Sequence, residues 1–342
     1  TGISNTIVGG LAGDALTDAD YNVAIGLGSL GADTLGSKSV AVGTAALQAQ
    51  NFTTATDSYN TAVGHNAGND ITTGTNNTLV GGLAGDALTA AFENTAVGES
   101  SLGSDTLGRR TVAIGSGALQ TQNFTTATNS YNVAVGYDAG VLVTTGLNNT
   151  IVGGLSGDAL TDADFNVAVG TEALTSDTMG SKSTAIGYSS LATQNFTTAT
   201  DSFNTAVGYV AGAAVTTGLK NTFVGASAGT LTLDSSDNTA VGQLALGGAD
   251  SGGTNTAVGV QALTACTGYD NTSIGFLAGR AITSGHNNIT IGHDAGLTGS
   301  PGGNLTTGSN DLSLGDENIG QANIQVSFTV ASDQRDKTDF TA

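Results

Sequence analysis

The chain has 342 residues, including 52 glycines, one proline and no tryptophan, and its formal net charge is −20. High glycine content with a single proline excludes a collagen-like chain, and 39% hydrophobic residues exclude a disordered polar chain. The eight Lys and Arg residues form no patch, which excludes nucleic-acid binding and attachment to an anionic membrane surface. The sequence contains no stretch of about 18 apolar residues, so no membrane span is predicted.

A five-residue word recurs along most of the chain. It reads Asn or Ser, Thr or Val, a small residue, Val or Ile, and Gly, as in residues 60–64 and 166–170. Its alternation with period two predicts a short strand, and the closing glycine predicts a bend at positive φ. The closing glycines are Gly9, Gly26, Gly43, Gly64, Gly81, Gly98, Gly115, Gly136, Gly153, Gly170, Gly187, Gly208, Gly225, Gly242, Gly259, Gly275, Gly292 and, in a degenerate word, Gly315.

The spacing between these words is itself periodic. Three shorter intervals and one longer interval follow one another in a fixed order, so every fourth closing glycine begins a new 72-residue unit, as Gly9, Gly81, Gly153 and Gly225 do. About 18 coils stacked at about 4.8 Å predict an all-β, parallel β-solenoid about 85 Å long. We expect a regular solenoid over 1–292, irregular terminal coils over 293–322, and a C-terminal strand and tail over 323–342.

The two faces of each predicted strand differ in character. Word positions two and four, such as Thr61 and Val63, are β-branched, and the residue between them is usually Ala. We expect the β-branched face to form the core, and the Ala face to lie outside as a subunit interface. A core position for these residues also argues against an ice-binding surface made of their Thr ladder. Once per unit the Ala position is larger, at Ile7, Leu79, Ile151 and Phe223.

Two further features of the coil complete the prediction. The Asn residues that begin most words are expected to stack as a ladder of side-chain amides. The second small-residue word, such as Ala45-Ala46-Leu47, is expected to form the opposite wall of the coil.

The third coil of each 72-residue unit contains four extra residues. The resulting loops span 51–59, 123–131 and 195–203, and they recur about 19 Å apart along the stack. Regularly spaced copies would combine several weak contacts into a high overall affinity for a surface. The alternative is that the loops pack on neighbouring chains. The candidates for surface recognition are Phe52, Tyr59, Phe124, Tyr131, Phe196 and Phe203.

The acidic residues do not mark a specialised site. Asp18 and Asp20 resemble a calcium turn, but the second unit has Ala90 and Phe92 at the equivalent positions, and neither can bind calcium through its side chain. We therefore interpret these acids, and their equivalents at 162 and 164, as solvated turn residues. Because the acids follow the repeat, no polysaccharide-cleaving acid pair is visible. The sequence predicts no metal, no cofactor and no enzyme.

The histidines and the cysteine are interpreted as packing residues. His65 and His293 share one repeat position with Tyr137, Tyr209 and Phe276, which indicates a packing role. The single cysteine, Cys266, is expected to be a small buried hydrophobic residue.

The recurrent word resembles the head repeats of trimeric autotransporter adhesins, which read like Ser39-Val40-Ala41-Val42-Gly43 in this chain. The resemblance covers about 310 residues. It implies a left-handed parallel β-roll and a homotrimer. The coils of this chain are longer than the adhesin unit, so their turns are expected to project further.

The segment from Ala331 to Lys337 resembles the start of the intramolecular chaperone domain of phage tail fibres and tailspikes, written Ser-Asp-x-Arg-x-Lys. The resemblance implies self-cleavage between Ala331 and Ser332, with Ser332 as nucleophile and Lys337 as general base. The given sequence ends at Ala342, before such a domain, so no catalysis is expected here.

Together, the two resemblances favour a fibre shaft of a phage tail fibre that attaches to a host surface. The alternatives are a bacterial surface adhesin and a self-assembling extracellular filament. The expected partners are two further copies of the chain and a host-surface receptor or glycan, without nucleic acid and without membrane insertion. The expected location is the virion tail or an extracellular surface.

Overall fold

The computed structural model describes residues 2–248, 250–300 and 303–321. Within these residues the fold is all-β, with 24 strands and no helix. Eighteen strands of three residues form one continuous sheet, and six strands of two residues form three separate pairs. The predicted solenoid is therefore confirmed.

The strands follow one another in the predicted order. Along the chain they are β1 (Thr6–Val8), β2 (Val23–Ile25), β3 (Gly36–Ser37), β4 (Val40–Val42), β5 (Thr56–Asp57), β6 (Thr61–Val63), β7 (Thr78–Val80), β8 (Thr95–Val97), β9 (Gly108–Arg109), β10 (Val112–Ile114), β11 (Thr128–Asn129), β12 (Val133–Val135), β13 (Thr150–Val152), β14 (Val167–Val169), β15 (Gly180–Ser181), β16 (Thr184–Ile186), β17 (Thr200–Asp201), β18 (Thr205–Val207), β19 (Thr222–Val224), β20 (Thr239–Val241), β21 (Thr256–Val258), β22 (Thr272–Ile274), β23 (Ile289–Ile291) and β24 (Leu312–Leu314).

Every strand of the large sheet pairs in parallel with the strand of the next coil, and equivalent word positions are aligned. In β6 and β7, for example, Thr61 faces Thr78 and Val63 faces Val80. A solenoid stacks equivalent residues because each coil advances the chain by one strand spacing. Each side-chain type therefore forms a column along the sheet.

The closing glycines form one of these columns, and two constraints require glycine there. Gly242 has a φ of 129°, where residues with a side chain are strained. A Cβ on Gly242 would also lie 2.6 Å from the carbonyl oxygen of Gly259 in the next coil. The coils approach too closely at this corner for any side chain.

The predicted orientation of the strands is wrong. The middle residues, such as Ala62, Ala134 and Ala206, are completely buried. The first and third residues of all 18 long strands are half-buried or exposed, and Val63 is 36% exposed. Ala points inward because the coil is thin, and the β-branched residues point outward. The Ala face is therefore not a subunit interface.

The opposite wall of the coil explains why the core accepts small residues. Ala67 and Leu47 in the second word are fully buried, as predicted. Where the inward strand residue is large, the wall recedes to glycine in two consecutive coils. A Cβ on Gly68 would lie 2.6 Å from Leu79 Cδ1, and one on Gly85 would lie 2.8 Å from Leu79 Cδ2. The 72-residue period thus reflects volume matching across a thin core.

The Asn side chains that begin most words stack in one column, as predicted, and from Asn22 to Asn288 they are buried. Asn22 Oδ1 accepts a hydrogen bond of 2.8 Å from the backbone N–H of Ser39, the equivalent residue of the next coil. Its Nδ2 donates to the carbonyl oxygen of Gly36 at 2.9 Å. Such bonds satisfy the backbone at the start of most strands, where an unpaired polar group would be costly. After each inserted loop a serine hydroxyl accepts this bond instead, as Ser58 does from Asn60.

The last two strands of the large sheet are joined differently from the others. Strand β23 is followed after a longer connection by β24, and their residues pair in parallel. The predicted strand at 323–330 lies outside the described residues. No helix in the described part of the chain is long and apolar enough to cross a bilayer.

Candidate functional site

The inserted loops fold back on the preceding coil. In each of the first three units the end of the loop forms a two-residue strand that pairs with that coil, as β5 does with β3. The same pairing joins β11 to β9 and β17 to β15. Each loop is therefore a built extension of the solenoid at one corner.

Three of the six predicted recognition residues are buried inside this corner. Phe52, Phe124 and Phe196 are only 5%, 6% and 7% exposed. A Cβ on Gly36 would lie 2.7 Å from Phe52 Cδ2, so the glycine makes room for the ring. A buried ring cannot make contact with a ligand on the surface. These three residues stabilise the loop, which corrects their assignment as surface-recognition residues.

A buried carboxylate holds the base of each loop. In the first unit, Asp33 Oδ1 accepts the backbone N–H groups of Gly36 and Phe52 at 3.0 and 3.1 Å. Gln50 Nε2 donates to Asp33 Oδ2 at 2.6 Å, and Gln50 Oε1 accepts from Asn60 Nδ2 at 2.8 Å. The acid, the amide and the amide ladder thus form one connected network.

The same network recurs in the second and third units. Asp105 pairs with Gln122 at 2.7 Å, and Asp177 pairs with Gln194 at 2.5 Å. Burial raises the pKa of Asp105 and of Asp177 above the ordinary value for aspartate, against the opposing effect of hydrogen bonds from the glutamines. In this position the carboxylates act as structural acceptors for the loop backbone.

The other three predicted recognition residues are exposed and belong to surface clusters. Tyr59, Tyr131 and Phe203 are 53%, 50% and 50% exposed. Each is the residue before the first residue of a word, with φ of 51°, 51° and 52°. A cation from the preceding coil lies over each ring, and a carboxylate pairs with each cation. We call these three sets the flank clusters.

The first flank cluster consists of Lys38, Asp57 and Tyr59. Lys38 Nζ lies 5.0 Å from the centroid of the Tyr59 ring and 3.0 Å from its hydroxyl oxygen. The same ammonium donates to Asp57 Oδ2 at 2.6 Å. Hydrogen bonds to Asp57 and then to Tyr59 raise the pKa of Lys38 above its usual value. Its charge is therefore retained at every physiological pH.

The other two flank clusters preserve this chemistry with different residues. In the third unit, Lys182 contacts Asp201 at 2.5 Å and lies 5.2 Å from the Phe203 ring centroid. In the second unit the loop position of Asp57 is Asn129, and Glu93 from an earlier coil replaces the acid. Glu93 accepts from Arg110 Nε at 2.8 Å, and Arg110 Nη1 donates to the Tyr131 hydroxyl at 2.9 Å.

The fourth unit lacks the loop and the residues that support it. Cys266 replaces the glutamine, and in the sequence Ala249 replaces the aspartate. Thr254 occupies the position of the cation, and Asp270 precedes the word where the other units have the aromatic ring. Cys266 is 1% exposed, and burial raises its pKa to about 11, which confirms its assignment as a buried hydrophobic residue.

The turn acids do not form a metal site in the described residues, where no group of three potential metal ligands occurs. Asp20 Oδ1 accepts the backbone N–H of Ile3 at 2.7 Å, and Asp164 Oδ1 accepts that of Leu147 at 2.7 Å. Asp162 accepts from the hydroxyl of Thr145. These acids connect neighbouring coils, which is a structural role beyond simple solvation.

The aromatic position that follows the closing glycine is exposed, and the predicted packing role takes the form of ring stacking between neighbouring coils. Tyr137 and Tyr209 are 62% and 60% exposed, and His65 is also exposed. Tyr209 stacks on Tyr188 of the preceding coil at 5.5 Å, and His293 stacks on Phe276 at 5.1 Å. This column lies on the opposite flank of the strand from the flank clusters.

Sequence reasoning missed the buried Asp–Gln pairs and the cations. A signal was available, because Asp33 and Gln50 occupy the same position of consecutive coils. Lys38 and Tyr59 are likewise equivalent, one coil apart across the inserted loop. The candidate self-cleavage residues, Ser332 and Lys337, lie outside the described residues.

No protein-family model matches the chain, and no curated protein is significantly similar to it.

Proposed function

We propose that this chain is the structural shaft of an extracellular fibre, in which several copies associate side by side along their sheet faces. The two sequence resemblances support a homotrimer in a phage tail fibre, with a bacterial surface adhesin or a self-assembling extracellular filament as alternatives. On this proposal the chain is not an enzyme, and its loops attach the fibre to a host surface.

The outward face of the large sheet is the observation on which the proposal depends. Its two columns contain only Thr, Val, Ile and Leu in all 18 strands, although the chain has a net charge of −20. A solvent-facing sheet ordinarily alternates apolar inward residues with polar or charged outward ones. A long uncharged face on so acidic a protein indicates a surface that another molecule covers.

The dimensions of the face match what an interface between copies needs. Eighteen strands at about 4.8 Å give a length of about 85 Å, and two columns of side chains make it about 10 Å wide. The face therefore offers about 850 Å² per chain, close to the roughly 800 Å² per partner of stable protein interfaces. A second copy presents the same uncharged, regular surface over the same length.

Two charged substitutions on this face test the proposal. Val63 and Val224 are 36% and 37% exposed, so the double variant Val63→Asp, Val224→Asp should still fold as a single chain. We expect at least about tenfold weaker association in sedimentation velocity, because each carboxylate would be buried against a second copy, with an unchanged β-type circular dichroism spectrum. Thr73→Asp with Thr217→Asp adds the same charge on exposed turns and should leave association intact. Equal association of both variants would contradict the proposal.

The outward Thr and Val columns also support a second candidate function, binding to ice. The sequence argument against it assumed that these residues form the core, and they lie on the surface instead. A flat, regular array of methyl and hydroxyl groups suits an ordered water lattice. A chain that stays monomeric and produces thermal hysteresis would favour ice binding, whereas association without hysteresis favours the shaft.

A further inference from the structure

We infer that the three flank clusters are binding sites for an uncharged saccharide of a surface glycan. This inference rests on the proposed function, because it names the ligand class by which the shaft would attach to a surface. The cluster residues are Lys38, Asp57 and Tyr59; Glu93, Arg110 and Tyr131; and Lys182, Asp201 and Phe203.

The rings provide a fixed apolar platform. Each is about half exposed and is held by a left-handed backbone position and by the cation beside it. A fixed aromatic ring binds the apolar face of a sugar with little further loss of conformational entropy. Phe203 replaces tyrosine in the third unit, so the shared feature is the ring and not its hydroxyl group.

The charged pair beside each ring provides directional hydrogen bonding. Lys38 supplies donors and Asp57 supplies acceptors next to the Tyr59 ring, which suits the paired hydroxyl groups of a sugar. The second cluster retains an acid although Asn129 occupies the loop position, because Glu93 supplies the carboxylate. Ring, cation and acid are therefore kept together in all three units, even where the acid comes from another coil.

The charge of the chain selects among glycans. Each cation is already paired with a carboxylate, so a cluster carries no net positive charge. The chain as a whole carries −20, which repels acidic polysaccharides at moderate ionic strength. A neutral saccharide meets no such repulsion.

The arrangement of the clusters favours a polymeric ligand. They recur every four coils along one flank of the stack, about 19 Å apart by the strand spacing. Weak contacts at three sites on one rigid rod combine through effective concentration, which multiplies overall affinity by about 100-fold or more. A glycan chain or a dense glycan surface can engage several clusters at once.

The test compares the full chain with a triple variant, Tyr59→Ala, Tyr131→Ala and Phe203→Ala. The probes are surfaces coated with neutral polysaccharides (dextran, mannan and galactan) or with acidic ones (alginate and hyaluronan), read by biolayer interferometry. We expect binding to at least one neutral polymer, an apparent affinity about 100-fold weaker in the triple variant, and about tenfold or less in each single variant.

A matched control keeps this test specific. His65→Ala, Tyr137→Ala and Tyr209→Ala remove exposed rings at the same repeat spacing on the other flank of the strand and should leave glycan binding unchanged. The inference is overturned if no neutral polymer binds, if acidic polymers bind better, or if both triple variants lose binding equally. Sedimentation velocity on the same samples separates the two proposals, because an unaltered chain that associates but binds no neutral polymer contradicts only the glycan site.

Discussion

The first three repeat units and the fourth are built from the same kind of coil, but they differ at the corner where the inserted loop lies. The first three have the loop, the buried Asp–Gln pair, the cation and the exposed ring, whereas the fourth lacks all four together. The closing glycines, the buried Ala column and the Asn ladder continue through both regions. The comparison shows that the rod needs only the shared columns, and that the corner is a coupled module added to it.

The largest expected effect concerns what the two regions share. Gly136→Ala in a loop-bearing unit and Gly242→Ala in the fourth unit should each destabilise the stack by about 4 kcal/mol or more, because a Cβ would meet the backbone of the next coil at strained φ. Urea unfolding followed by circular dichroism measures the loss. A much smaller loss in the fourth unit would show that its coils are not built in the same way.

The next effect should be confined to the loop-bearing units. Gln122→Leu removes the side-chain donor to the buried Asp105 Oδ2, and such an unsatisfied group costs about 1–3 kcal/mol, whereas Asn132 Nδ2 keeps its hydrogen bond to the carbonyl oxygen of Gly146. Cys266→Ala at the equivalent position of the fourth unit should cost about 1 kcal/mol or less, because only a small buried side chain is trimmed. Hydrogen exchange in the two regions measures both. Similar losses would refute the separate role of the polar pair.

The pH dependence of stability should differ between the same regions. Burial raises the pKa of Asp105 and Asp177 in the folded state, so the folded chain binds these protons more tightly than the unfolded chain. Their contribution to stability is complete below the unfolded pKa of about 3.9 and is lost as pH rises through the raised folded value. Loop protection in hydrogen exchange should therefore decrease across that window in wild type. Asp105→Asn with Asp177→Asn should remove the slope, and an unchanged slope would assign it to other groups.

The smallest expected effect concerns the exposed cation. Lys182→Ala should reduce stability by only about 0.5 kcal/mol, because its pair with Asp201 is solvent-exposed. The difference should shrink further at high salt, where exposed pairs are screened. A loss above about 2 kcal/mol in urea unfolding would exceed what an exposed pair supplies, and would mean that the cluster holds the loop in place and is not free to serve a ligand.

Much of the fold could be predicted from the sequence, because the spacing of the closing glycines defines the coils directly. The orientation of the strands could not be predicted in this way. Thr61 and Val63 have larger, β-branched side chains than Ala62, and burial of the larger side chains is the ordinary expectation. The thickness of the coil decides which face of the strand points inward, and that thickness depends on the turns. The sequence did contain one signal of the orientation. The large residue Leu79 at a strand centre occurs together with the glycines Gly68 and Gly85 in the opposite wall of the coil, which indicates that the strand centre points toward that wall.

The candidate site was predictable only in part. An aromatic residue in an inserted loop gives no indication of its exposure, so Phe52 and Tyr59 looked alike in the sequence although one is 5% and the other 53% exposed. What separates them is how each ring meets the preceding coil. The Phe52 ring packs against Gly36 and its backbone N–H is held by Asp33, whereas the Tyr59 ring lies on the surface beside Lys38.

The most direct test of the shaft proposal is the molar mass of the folded chain, measured by light scattering over a range of concentrations. The uncharged sheet face predicts a mass of two or more chains of 33.4 kDa, and the trimer is the expected state. A mass of one chain at every concentration would contradict association through this face.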